Sequence, residues 1–506
     1  MNIHSCVSVA LLASVFSSAS YAREPKTLKS QLKDQTSVSL TVYSNGRSMI
    51  RERRKIKLDK GVFALEFQDV SSRMLSETAQ LRNVKSPRDL VVLEQNLEFD
   101  LLSPAKLLEK FVGRSVSVVR THPTNGLDSS ETAEVLSTQN GVVLKVKDRI
   151  ETGVPGRIVF PEVPENLRAE PTLSLLVESD KGGVQDLELN YLSEGLTWKA
   201  DYIANLNSTD DRLELTGFVT LTNQSGTSFS NAQLQFMAGQ VQTVQNNNRY
   251  KMKLRRSADF SNDSAEMSAG VPQMQGESFF EYHLYTLPRQ TTLLSNQTKQ
   301  LTLLQASEVK VRKEILFKSS GYYDISDNFI FEDDRGEGES ADSIELGKPV
   351  QGGVFIAFEN NKVSGLGSAL PAGIVRVYKR DSATLSQFLG EDRISHVPEN
   401  ESVRVRLGSS FDVTARKKRL KIKNLPSIRG MRKDIRIVEY TERITFKNAK
   451  DAEQKIIYRD SLPADSEVLK SSFKHKSLGN GNTEWSAQVP AKGKLVLEYT
   501  VRAKLD

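Results

Sequence analysis

Cysteine is almost missing from this chain: of 506 residues, only Cys6 carries a thiol. No intrachain disulfide can form, and cysteine metal cages and thiol nucleophiles are excluded once the leader described below is removed. Histidine is scarce as well. His122, His283, His396 and His475 are widely separated, and no His-Glu-x-x-His pair occurs, which removes the usual zinc-hydrolase pattern. Ser225 stands in Gln-Ser-Gly and not in a Gly-x-Ser-x-Gly elbow, so a serine nucleophile has no address. Long apolar runs are absent after the start, so no second membrane span is expected. Polar loops and long irregular inserts also fit a transmembrane barrel poorly. Charge of one sign is not concentrated: a net +6 over 506 residues is too small to point to nucleic acid and suits an acidic cell-envelope setting.

What is present begins with a secretion-like leader, Met1–Ala22. Val9–Phe16 forms an apolar core too short to span a bilayer, and Ser20 and Ala22 are the small residues that a signal peptidase reads. Cleavage after Ala22 is expected, with a periplasmic or secreted product. Cys6 lacks the small-residue lipoprotein box before it, so lipid attachment is not expected.

The dominant pattern beyond the leader has a period of two. Val219 and Leu221 alternate with Thr220 and Thr222, Val403, Val405 and Leu407 with Arg404 and Arg406, and Leu495, Leu497 and Tyr499 with Val496, Glu498 and Thr500. Alternation of this kind sends one row into a core and the other to solvent. The fold class is therefore mainly β and multidomain, with very few helices. The single helical signal is Ala105–Phe111, where Ser103 caps, Pro104 fits the first turn and Gly113 follows the end.

Size and punctuation divide the chain. After the signal peptide, 1–22, an N-terminal β unit occupies 35–90, with Asn45-Gly46 and Lys60-Gly61 as its turns. A small β-barrel-like unit with the one helix follows over 91–168. Two immunoglobulin-like β sandwiches complete the chain, over 169–318 and 319–506. Each carries a segment too polar to offset its ordering entropy, predicting mobile insertions at 240–276 and 326–346.

Several stretches resemble one bacterial family. They are Val92–Asn96 with Phe99–Pro104 and Leu107–Glu109; Gly156–Pro161; Tyr191–Tyr202, containing Gly-Leu-Thr-Trp-Lys-Ala-Asp-Tyr; and Leu215–Asn223 followed by Gly226, Asn231-Ala232 and Ala238-Gly239. The chain is similar here to proteins carrying domain of unknown function 4139, and distantly to the mucoidy inhibitor-like proteins. That resemblance implies an exported, β-rich protein and supplies no catalytic residue. The coiled-coil insertion of the mucoidy inhibitor-like relatives has no counterpart, because no heptads are sustained.

Candidate binding or junction residues are Gln95, Asn96, Trp198, Lys199, Asp201 and Tyr202. An aromatic platform with charged flanks suits a ligand groove, whereas the structural alternative has Trp198 and Ala200 facing a core, Lys199 and Asp201 facing outward and Gly195 turning the chain. Gln95 and Asn96 alternatively satisfy backbone groups at a junction. Arg51, Arg53, Arg54, Lys55 and Lys57, and the cluster from Arg416 to Lys423, read as outward basic faces able to meet anionic polymers or lipid headgroups. Asp327, Glu332, Asp333 and Asp334 lack EF-hand spacing and read as a solvated acidic loop. No catalytic residue, metal site or cofactor is expected. These features favour a noncatalytic envelope scaffold or binding module for a protein or an anionic surface polymer; the alternative is a periplasmic hydrolase.

Overall fold

The structure is a computed structural model and describes residues 25–98, 100, 102–153, 156–164, 167–239, 241–242, 273–319, 347, 349–428 and 435–505. The leader, nearly all of the 240–276 insertion and the whole of 326–346, with its acidic residues, lie outside the described residues. The chain separates into two units, one formed by residues 1–38 and 50–192, the other by 39–49 and 193–506.

The mainly β class holds, and Pro104–Lys110 is the α-helix among the described residues. Its N-cap is the expected one: the Ser103 hydroxyl accepts from the Lys106 backbone N–H at 3.2 Å, satisfying a donor that the first turn cannot. The helix covers one face of a five-stranded sheet in the first unit. Phe111 and Leu108 pack with Val116, Val118, Val135, Leu144 and Val146, and Phe111 meets Phe160 edge to face at 5.1 Å. The sheet order runs Arg149–Thr152, Val143–Val146, Asp128–Ser137, Ser115–Thr121, Arg157–Val159. No pairing joins its two edge strands among the described residues, so the sheet is open where a barrel-like closure was expected. The edge strands are four and three residues long, giving little ladder with which to close.

A four-stranded sheet of the same unit orders Thr27–Ser30, Gly61–Gln68, Thr172–Ser179 and Leu90–Glu98. Beside it, the strand Arg47–Leu58 shows strict alternation, with Ile50, Glu52, Arg54, Ile56 and Leu58 all buried. Arg54 is thus no part of a basic surface. It donates to the carbonyls of Ser30 at 2.9 Å and Gln68 at 2.8 Å, pairs with Glu52 at 3.0 Å, and lies 4.8 Å over the Phe67 ring. A buried guanidinium is tolerated because every face of it is answered.

In the second unit a thirteen-stranded sheet is organised by two long strands. Gln297–Ser319 pairs with Arg212–Asn223 through its first half and with Pro349–Glu359 and Gln454–Ser461 through its second. Ser402–Ile428 pairs with Pro349–Glu359 and then with Ile435–Asn448. The end of the chain forms two layers around one core. Ile435–Asn448 and Lys494–Leu505 face Gln454–Ser461 and Asn482–Val489, and between them lie Phe317, Phe446, Tyr458, Trp485, Tyr499 and Val501. Trp485 stacks on Tyr499 at 4.6 Å.

That core also contains charge. Lys417 continues the inward row of Val413 and Ala415 and is 2% exposed, so the expected outward face holds at Arg416, Lys418, Lys421 and Lys423 and is corrected at Lys417. The alternation carries its ammonium inside, where Glu442, Asp460 and Ser319 receive it.

Candidate binding groove

Gln95 and Asn96 sit on Leu90–Glu98, in the first unit. The Gln95 amide donates to the Ser76 carbonyl at 2.9 Å, so this side chain satisfies backbone, while Asn96 is exposed and pairs in register with Ser174. Trp198, Lys199, Asp201 and Tyr202 lie on Leu196–Leu206 in the second unit. This strand is hydrogen-bonded on both sides, to Arg212–Asn223 and to Gly373–Arg380, and Gly195 at its start has φ +89, as the turn requires.

The strand holds its singled-out residues on two faces. Tyr202 is fully buried and donates to the Pro371 carbonyl at 2.8 Å; burial, reinforced by nearby Tyr285 and Asp201, pushes its phenol well above the ordinary range. Gly217 stands directly across from it, where a Cβ would come within 3.1 Å of the ring. Trp198 is partly buried against Phe236 at 5.6 Å, and its indole N–H meets no acceptor among the described residues. On the other face Lys199 is exposed, but Asp201 is covered. Arg376 reaches its carboxylate at 3.1 Å, Thr220 donates to it at 3.0 Å, and the Lys199 ammonium is 3.5 Å away.

The basic strand keeps Arg51, Lys55 and Lys57 exposed. Arg53 is engaged instead by buried Glu188 at 2.8 Å, which Arg82 also grips at 2.6 Å. Burial alone opposes ionisation of Glu188, but hydrogen bonds from Arg53, Arg82 and Asn190 outweigh it and hold the carboxyl down at about 2. Lys55 borders a basin of about 540 Å³ shared with Lys85, Lys181 and Asp89.

The more complete site was not singled out from the sequence. At the far end of the Leu196–Leu206 strand, a cavity of about 410 Å³ opens among Leu206, Val354, Ile356, Leu407, Phe411 and the lysines 313, 379 and 450. Its shape comes from a large irregularity. Gln351 pairs with Thr414 and Gly353 with Ser409, leaving Ser410–Val413 opposed by Gly352 alone. Ser410 and Val413 stay buried at the ends of this segment, the Ser410 hydroxyl accepts from the Val413 N–H at 3.2 Å, and Phe411 between them is left 86% exposed. Gly352 is required beneath them, since a Cβ there would lie 2.4 Å from Ile315 and 2.7 Å from Phe317.

One wall of the groove is ionic. Asp210, at φ +62 in a tight turn, takes Lys313 at 2.8 Å and also Lys379. Burial works against its ionisation, yet the two ammonium groups prevail and keep the carboxyl below its usual range. Lys313, Lys379 and Lys450 outnumber Asp210 and Asp412 around the cavity and leave a small positive excess beside an apolar floor and an exposed ring, an arrangement suited to an anionic group carrying an apolar substituent.

The family model described as a domain of unknown function (DUF4139) matches residues 187–505. The chain belongs to this family. The groove, the Leu196–Leu206 strand and the ionic core around Lys417 all fall in the DUF4139 region, whereas Gln95, Asn96 and the basic strand precede it. No curated protein matches the chain. Burial, and then repulsion from His283, lowers the pKa of His396, whose Nδ1 accepts from the Ala372 N–H at 3.2 Å. Among the described residues no three potential metal ligands converge.

Proposed function

We propose that the protein is an exported, noncatalytic scaffold or binding module of the cell envelope, and that the groove beside Phe411 receives an anionic segment of a protein or surface polymer. The observation that carries this reading is the exposed Phe411 ring, held out on a closed bulge next to the Lys313–Asp210–Lys379 cluster. Bulges re-aim side chains at functional places, and an aromatic anchor beside paired cations is the composition of a recognition site. The leader-like Met1–Ala22 supports the periplasmic or secreted part of this reading.

Crosslinking of envelope fractions followed by mass spectrometry tests it. A partner crosslinked by the wild-type chain is expected to be lost with Phe411→Ser or Lys379→Gln while the fold persists. Turnover of an envelope-derived substrate by the purified protein, abolished by a folded point mutant, would instead establish the hydrolase.

A further inference from the structure

The ionic core of the C-terminal layers holds reactive groups in contact. The Lys417 Nζ lies 3.0 Å from Asp460 Oδ2 and 3.0 Å from the Ser319 hydroxyl, and touches Glu442. The two carboxylates are held differently. Arg419 grips the second oxygen of Glu442 through two N–H groups at 3.2 and 3.0 Å. Asp460 instead receives Tyr458 at 3.2 Å, the Tyr499 hydroxyl and the lysine. Lys417, Glu442, Asp460, Tyr458 and Tyr499 are all at most 2% exposed, and Trp485 and Phe446 close the surroundings.

We propose that Lys417 and Asp460 condense spontaneously to an isopeptide bond, with Glu442 as the proton carrier. The Lys417 nitrogen attacks the Asp460 carboxyl carbon; a C–N bond forms and a C–O bond breaks. Glu442 takes a proton from the ammonium and returns it to the departing oxygen, which leaves as water with the second ammonium proton. An ammonium and a carboxylate thus become an amide and one water, with no oxidant, reductant or cofactor required.

Three features favour the step. Burial lowers the Lys417 ammonium below its ordinary range, against the pull of Asp460, which makes the nucleophilic amine accessible. The Lys417 nitrogen and an Asp460 oxygen are held in contact at 3.0 Å, which brings the two reacting groups together, and a proton carrier lies against the amine. Lys417 is on Ser402–Ile428 and Asp460 on Gln454–Ser461, strands that do not pair. The bond therefore ties one layer of the C-terminal unit to the other, a covalent brace for a chain without disulfides.

Peptide mapping of the full chain, denatured after purification in its folded state, tests the bond. The expected product is one branched species joining the Lys417 and Asp460 peptides, with the mass of their sum less one water. It is absent from Lys417→Arg, and Asp460→Asn yields the same branched species by loss of ammonia. A purely ionic cluster gives two separate peptides at full mass from the wild-type protein, and that result overturns the proposal without reference to any variant's ability to fold.

Discussion

At the scale of single residues, the charged side chains that alternate into the core determine how the molecule responds to acid and to substitution. Glu188 is the clearest case. Its folded carboxyl is held at about 2 against an ordinary value near 4.5, so its stabilising contribution is complete above pH 4.5 and is lost as pH falls towards 2. Glu188→Gln is expected to cost about 2 kcal/mol at neutral pH, the range of hydrogen bonds to a charged group, and to lose less between pH 4.5 and 2 than wild type. Thermal melts across that range check it; an equal gap between the two proteins at every pH refutes it. Gly352→Ala is expected to destabilise by about 1–3 kcal/mol, the cost of overpacking, because Ile315 and Phe317 occupy the space of a Cβ; an unchanged melting temperature would show that the layer gives way. These inward charges were legible in principle. Glu52 and Arg54 are in phase with Ile50 and Ile56, and Lys417 is in phase with Val413 and Ala415. The rows were visible, but a cluster of like charges reads as solvated until its distant partners are known, and Asp460 is 43 positions from Lys417.

At the scale of elements, alternation located the strands well and their edges and partners less well. The alternating run Val403–Leu407 and the basic cluster Arg416–Lys423 belong to one strand, Ser402–Ile428, because Gly408, the two serines and Phe411 interrupt the period without ending the pairing. That interruption is the bulge that builds the groove, so the feature that hid the strand also hid the site. The exposed Ser386–Ile394 edge strand was unread for a related reason: eight of its residues have partly or fully solvated faces before Ile394 closes it, giving no clean inward row. Asp201 shows the same limit on the Leu196–Leu206 strand. Local pattern sends it outward with Lys199, and its cover comes from Thr220 on the neighbouring strand and from Arg376, 175 positions away. The bulge predicts a separation of stability from recognition: Phe411→Ser should change stability by no more than about 0.5 kcal/mol, as for other exposed positions, while abolishing partner crosslinking. A large loss of melting temperature would assign Phe411 to the fold.

At the scale of the whole molecule, the mainly β class and family membership were both readable, because each rests on patterns repeated over hundreds of residues, whereas the proposed function rests on one groove assembled from segments far apart in sequence. Leu206, Asp210, Lys313, Ile356, Lys379 and Phe411 share no local motif, and no spacing rule would have gathered them. The most direct test of the groove's role is site-specific photocrosslinking in intact cells, with a photoreactive phenylalanine analogue at position 411 or, as a comparison, at Phe280, which is similarly exposed at 85%. The account predicts a discrete adduct from position 411 that disappears with Lys379→Gln and has no equivalent from position 280. No adduct at 411, or the same adducts from both positions, would contradict it.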